Sequence, residues 1–243
     1  MATSWISDEW FLAPDVNPAH PVLDAARSYV EHAGIEKHEF FRLAARSPEA
    51  LKAWASQELV VTGPFAQYLL LIAASIPNVH LRSIVVRVLR DEHGGLTKQL
   101  LASRSHPWLL HRLAISIGVD PASVRPFEET CWFLDELKRE CGRSTIRGLA
   151  AIGMGSEALL VPEYSAVRAA FAKAMPEASF APFLDANLRA DTDHTRLLEV
   201  VSGNLIATDS DANDYLEAAR KSVDDRLVYY DRLTKRLKSI GLL

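Results

Sequence analysis

Apolar positions recur at helical spacing along nearly the whole chain, and Pro, Gly and capping residues cut that pattern into about eight helical segments. After an irregular arm rich in Pro and Asp (Trp5–Pro21), a helix is predicted from about Pro21 to Ala33, stopped by Gly34. His38–Ala45 is a short helix. Pro48, at an N1 position behind Ser47, starts another that runs through Leu59. Gly63-Pro64 marks a break or kink before the apolar helix Phe65–Ser75. Pro77-Asn78 ends that helix and leads into a long one from His80 to about Leu101, bent at Gly94-Gly95. His106–Gly118 follows, then a helix opened by Pro126 and stopped after Cys141 by Gly142. Ser144 caps a small-residue helix, Thr145–Leu160, limited by Pro162. The remaining segments are Tyr164–Ala174, Pro182–Val201 ended by Gly203-Asn204, and an amphipathic helix capped by Asp209 and reaching about Ile240. Val-rich stretches at Ile84–Leu89 and Leu159–Val161 lie inside longer helical patterns, so no strand is predicted. The fold class is therefore all-α, a single helical domain over residues 1–243 with short loops joining antiparallel neighbours.

Composition agrees: 49% hydrophobic and 24% charged residues suit a globular core, and Ala, Leu and Arg favour helix. A net charge of −4 without a basic run excludes a nucleic-acid partner, whose phosphates demand clustered Lys and Arg. Basic and acidic residues alternate through Asp214–Arg232, which reads as a solvated helix face. The longest apolar stretch, Phe65–Ile76, is too short to span a bilayer, so no membrane partner is expected. Met1–Trp10 lacks the features of a signal peptide, and two cysteines make no disulfide framework, which points to the reducing cytoplasm. The last helix carries Leu216, Val223, Leu227, Leu233 and Leu237 on one side, to close the bundle or to join a homodimer.

Three clusters of residues could carry chemistry. Glu157 lies in a helix that is apolar or tiny on every side except Ser156, so its carboxylate must be protonated, paired or metal-bound. An Arg from another helix is the plain alternative. Asn187, Asp191 and His194, spaced i, i+4, i+7, share one helical stripe, and Asp191 with His194 could hold an ion from a single face. Polar residues crowd that segment, however, and taken alone a purely structural role is the slightly better account. Glu92 follows Val88 and Leu89 on a buried stripe in Asp91-Glu92-His93-Gly94, and His106 opens the next helical segment with His93 and His111 as rivals. Carboxylates and imidazoles converging from several helices are what a bundle needs to hold two irons. No loop dense in Asp and Asn supports calcium, and the cysteines lack the paired spacing of structural zinc. Phe65, Tyr68 and Trp132 could line a pocket but read equally as core.

From Gln57 to Gly203 these features resemble the heme-oxygenase-like di-iron oxidases and oxygenases. The resemblance rests on Asp91-Glu92-His93-Gly94 closing an apolar helix, His106-Pro-Trp-Leu109 downstream, and Glu157 in a small-residue helix. The fourth piece is the pattern His-x-x-x-Asp-x-x-His, met here by Asn187, Asp191 and His194. It implies a bundle of about seven core helices holding two non-heme irons. Glu92 and His106 would bind one, Asp191 and His194 the other, with Glu157 bridging or nearby as the catalytic carboxylate. It further implies dioxygen as co-substrate, oxidation of a small metabolite (amino acid, amine or fatty acid) in a biosynthetic pathway, and an external electron donor. Two departures stand out. Asn187 replaces the pattern's first histidine, which would loosen one iron, and the gap from Glu92 to His106 is long, which keeps His93 in play.

The same fold resembles two metal-free groups. A thiaminase-type aminohydrolase would need a cysteine nucleophile, Cys131 or Cys141, although Cys131 in Thr-Cys-Trp-Phe-Leu reads as a buried core thiol. A cofactorless oxidase of the kind that completes pyrroloquinoline quinone would hold an anionic substrate with basic side chains, which Glu157 would repel. A non-catalytic helical binding module is the third alternative, and requires that Glu92, Glu157, Asp191 and His194 do not converge.

Overall fold

A computed structural model describes residues 8–95 and 102–243, and among these the regular structure is entirely helical. Helix α1 (Pro21–Ala33) starts where the His20 ring accepts the Val22 N–H, and ends at Gly34, whose φ of 64° suits a residue without Cβ. Helix α2 is Glu39–Ala44, and Ser47 caps α3 (Pro48–Thr62) by accepting the Ala50 N–H. Gly63 stays right-handed, so the Gly63-Pro64 step is a kink before α4 (Phe65–Ala74) and not a loop. The combined run Pro48–Ala74 is long and apolar enough to cross a membrane by length and composition. Here its Leu51, Trp54, Leu69 and Ile72 are buried in the bundle.

Helix α5 (Val79–Glu92) ends at the predicted bend, just before Gly94-Gly95. Gly94, at φ 75°, turns the chain out of the helix, because left-handed backbone cannot continue a right-handed ladder. The rest of the predicted helix, 96–101, lies outside the described residues. Helices α6 (His106–Ser116) and α7 (Glu128–Arg143) follow; Gly142 sits inside the last turn of α7, and the chain leaves the helix only at Ser144.

The largest departure from expectation surrounds Glu157. Helix α8 (Thr145–Ile152) passes without a break into a π-helical turn, Gly153–Ala158, and then into α9 (Leu159–Ala174). Pro162 therefore limits nothing. In a tight α-turn its ring would clash with the carbonyl four residues back, but that carbonyl, of Ala158, belongs to the widened segment. Helix α10 (Ala181–Leu205) runs straight through Gly203-Asn204. Helix α11 (Asp209–Ser239) is capped by Thr208, not Asp209, in a reciprocal capping box with Asp211.

Two apolar cores form. One collects Trp54, Tyr164, Phe171, Phe183 and Tyr230, and the other Leu69, Val85, Leu149, Leu198 and Val201. Helix α10 belongs to both, with Leu184 in the first and Leu197 in the second. The stripe 187–194 thus lies at the seam between the cores. Helix α11 packs on α1, α7, α8 and the π turn, so its apolar side closes the bundle. Its other side is not all solvated: Asp225 and Arg226 are buried, which corrects the reading of Asp214–Arg232.

Candidate metal centre

Four elements deliver the site. Glu92 ends α5 on the same buried stripe as Val85 and Val88. His106 opens α6, directly after Ser105, whose hydroxyl caps the helix. Asp191 and His194 come from the middle of α10, one turn apart on its inner face. Glu157 comes from the π turn, where one extra residue per turn swings its side chain away from the register of a plain α-helix. That turn lies close against α11: a Cβ on Gly155 would stand 2.3 Å from the Ser222 Cβ, so only glycine fits there.

These side chains meet. Glu92, Glu157 and His194 offer ligand atoms that all lie within 4.8 Å of one another. His106 Nδ1 is 3.0 Å from Glu92 Oε2. His194 Nδ1 is 3.3 Å from Glu157 Oε2 and 3.5 Å from Glu92 Oε1, while its Nε2 is 3.8 Å from Asp91 Oδ2. All five of Glu92, His106, Glu157, Asp191 and His194 are buried, Glu157 and Asp191 to 1% exposure. Asp91, which the sequence pattern did not single out, closes the ring from outside; its place beside Glu92 was the only signal.

The electrostatics reflect three acids and two bases in a dry space. Burial, then the neighbouring Glu157 and Glu92, hold the Asp191 carboxyl well above the usual range. Burial likewise pushes Glu157 up, against the pull of His194. Burial alone would also raise Glu92, but the charge and hydrogen bond of His106, joined by the His194 charge, together outweigh it and bring Glu92 down. Burial works against both imidazolium ions, yet Glu92 raises His106, and the hydrogen bond to Glu157 raises His194 to about 9. Protons thus fill the site where cations could.

Three buried atoms find no hydrogen-bond partner: Glu157 Oε1, Asp191 Oδ2 and His194 Nε2. Unmet polar atoms at this depth cost about 1–3 kcal/mol each, and the two carboxylate oxygens, together with the His194 Nδ1 that faces Glu157 and Glu92, are good ligands for iron. The donor set therefore fits a metal. A cavity of about 40 Å³, lined by Glu92, His106, Glu157, Asn187 and Asp191, has room for ions and a few waters. Asn187 reaches this cavity, but its amide donates to the Phe183 carbonyl at 2.8 Å. Its oxygen is a neutral and weaker ligand than the histidine it replaces.

The rivals fall elsewhere. His93 is exposed beyond the end of α5, and His111 stacks on Trp108 with ring centroids 5.4 Å apart. Cys131 is exposed rather than a core thiol, because it lies on the outer face of α7. Cys141 is buried, which pushes its thiol up to about 12, and neither cysteine lines the cavity. Phe65 does line it; Tyr68 is core, and Trp132 is half-buried beneath the Arg232 guanidinium.

A second buried acid cluster escaped sequence reasoning altogether. Arg226 on α11 donates to Glu163 Oε2 at 2.9 Å and to Glu58 Oε2 at 3.2 Å. Tyr164 donates to Glu58 and Tyr230 to Glu163, at 2.8 and 2.6 Å. Helical spacing of Glu58 with Trp54 and Val61 was the available signal.

Comparison with known proteins bears on this site. A family model described as "iron-containing redox enzyme" matches residues 52–226, most of the chain. The chain belongs to the iron-containing redox enzyme family. No curated protein matches it in sequence. Solved structures share the fold. A CADD-like protein of unknown function from Nostoc punctiforme superposes with a TM-score of 0.72 at 14% identity, over 89% of this chain and 99% of that one. A domain of unknown function with a heme-oxygenase-like fold from Shewanella denitrificans gives 0.68 at 13% identity, over 91% and 92%. A TenA homologue from Pseudomonas syringae gives 0.67 at 15%, over 88% and 90%. This member of the iron-containing redox enzyme family thus has a heme-oxygenase-like helical fold.

Proposed function

We propose that the protein is a non-heme di-iron enzyme that uses dioxygen to oxidise a small metabolite. The observation that carries this reading is the convergence of Glu92, Glu157 and His194, whose ligand atoms lie within 4.8 Å of one another, with Glu157 Oε1 and Asp191 Oδ2 buried and without hydrogen-bond partners. Glu92 and His106 would hold one iron, Asp191 and His194 the other, and Glu157 stands where it reaches both groups. Bound ferrous iron would supply the electrons that reduce dioxygen, which no side chain in the cavity can do. Where dioxygen is reduced fully to water and the substrate gives up only two of the four electrons, an external electron donor would supply the other two.

The chain's own residues have distinct tasks. Phe65 and the surrounding apolar side chains exclude bulk water, which strengthens every charge interaction inside. Burial favours the protonated forms of the Glu157 and Asp191 carboxyls before metal arrives, and metal binding would displace protons from them. Asp91, 3.8 Å from His194 Nε2, orients that ring from behind, as carboxylates commonly do for metal-bound histidine. Asn187, a neutral donor in place of an imidazole, makes the Asp191/His194 position the weaker of the two. Aminohydrolase chemistry lacks support, since no thiol reaches the cavity.

Anaerobic titration with ferrous iron, followed by admission of oxygen in an oxygen electrode, tests the proposal. About two equivalents should bind, one more tightly than the other, and oxygen should be consumed in proportion. Binding of less than about one equivalent, or loaded protein inert to oxygen, would refute it.

A further inference from the structure

We infer that Arg87, Arg104 and Arg189 form a recognition site for the carboxylate of a small organic monoanion, set against the outer side of the metal centre. Its purpose, to hold the molecule being oxidised, rests on the function proposed above, but the site itself does not. A pocket of about 240 Å³ opens between α5, α10 and the turn before α6. The three arginines line it, and His106 and His194 are among its remaining residues. The cavity on the other side of His106, at about 40 Å³, is too small for a metabolite. The arginine pocket is large enough, and it shares His106 with that cavity.

Two features indicate an anion. Arg87 has Asp91 four residues on, and Arg189 has Asp193, spacing that ordinarily gives helix-surface ion pairs. Neither pair forms, and among the described residues none of the three guanidinium groups has a carboxylate partner within salt-bridge distance. Independently, His194 lines the pocket, and its buried Nε2 has no hydrogen bond. Three guanidinium forks around a concave wall suit a planar carboxylate, which two of them can grip side by side. Asp91 and Asp193 also line the pocket, so its arginines exceed its acids by a single charge. That surplus favours an anion, in a chain whose overall charge is −4.

Calorimetric titration of the purified full chain with butyrate, butyramide and inorganic phosphate tests the site, beside Arg87→Gln, Arg104→Gln and Arg189→Gln. Butyrate should bind saturably and butyramide should not, since it keeps the shape and loses the charge. Each variant should weaken butyrate about tenfold, the loss of one charge-assisted contact, with unchanged thermal melting because all three side chains are exposed. Equal binding of butyramide, tighter binding of phosphate, or variants that bind like the parent would overturn the assignment. Iron content of the same samples separates the two readings. Butyrate binding in a protein that takes up no iron would leave this site standing and remove the oxidase. Full iron uptake without butyrate binding would do the reverse.

Discussion

Two clusters of buried acids lie within this one bundle, and they solve the same problem differently. Around Arg226, the Glu58 and Glu163 carboxylates receive hydrogen bonds from a guanidinium and from the hydroxyls of Tyr164 and Tyr230, and Trp54 completes the shell through Tyr230. None of these polar side chains has an unmet buried atom. Around Glu157, three acids and two imidazoles are equally deep, yet three of their atoms have no partner. Burial alone therefore does not mark a functional acid. What marks it is a shell left incomplete by the protein's own groups.

The sharpest way to break this contrast is to remove the cation that belongs to the chain. Arg226→Met should lower stability by about 3–5 kcal/mol, because two carboxylates would remain in the core without their partner. Calorimetric melting would measure it, and an iron-binding capacity per folded molecule that stays unchanged would show the clusters to be independent. Next in size, Gly155→Ala forces a Cβ to within 2.3 Å of the Ser222 Cβ. The overpacking should cost about 1–3 kcal/mol and displace the π turn, so iron uptake should fall with stability; Ser222→Gly should restore both.

The Glu157 cluster should respond in the opposite sense. Asp191→Asn removes a carboxyl held well above its usual range by burial and by Glu157. The metal-free variant should be as stable as the parent or about 1 kcal/mol more so, by the logic of removing an ill-compensated buried acid, while losing iron. A loss of several kcal/mol in chemical denaturation would contradict this. The smallest effect concerns pH. The folded state holds the His194 proton to about 9 against 6.5 in the open chain, so that contribution is complete below 6.5 and disappears as pH rises through 9. The upward shifts of Glu157 and Asp191 act in the same direction, whereas Glu92, shifted down, contributes above 4.5 and is lost on acidification. Metal-free protein should therefore lose stability between pH 6.5 and 9, and iron-loaded protein should not. Denaturant midpoints across that range measure the difference.

Helical periodicity and punctuation made most of the bundle legible. Gly34 and Ser47 act where their chemistry predicts, because their effects are local. The failures came where tertiary packing overrides local signals. Pro162 and Gly203 sit inside helices, since a wide turn accommodates the first and close packing on Pro18 surrounds the second. The π turn had no sequence signature beyond its glycines. In the site, apolar surroundings pointed to Glu157, and the i, i+4, i+7 stripe grouped Asp191 with His194. Arg226 stayed hidden because charged neighbours at every side of its helix resemble a solvated face, and only the packing of α11 shows which charge turns inward. Asp91 is half-exposed, and nothing in the chain separated it from an ordinary helix-end acid.

The distinction between the two clusters comes down to which one takes up iron. A crystal of the protein grown with ferrous iron under anaerobic conditions, recorded on both sides of the iron absorption edge, answers this directly. Anomalous density should lie among the side chains of Glu92, Glu157 and His194, with none beside Arg226. Iron found only at surface sites, with none among Glu92, Glu157 and His194, would contradict it.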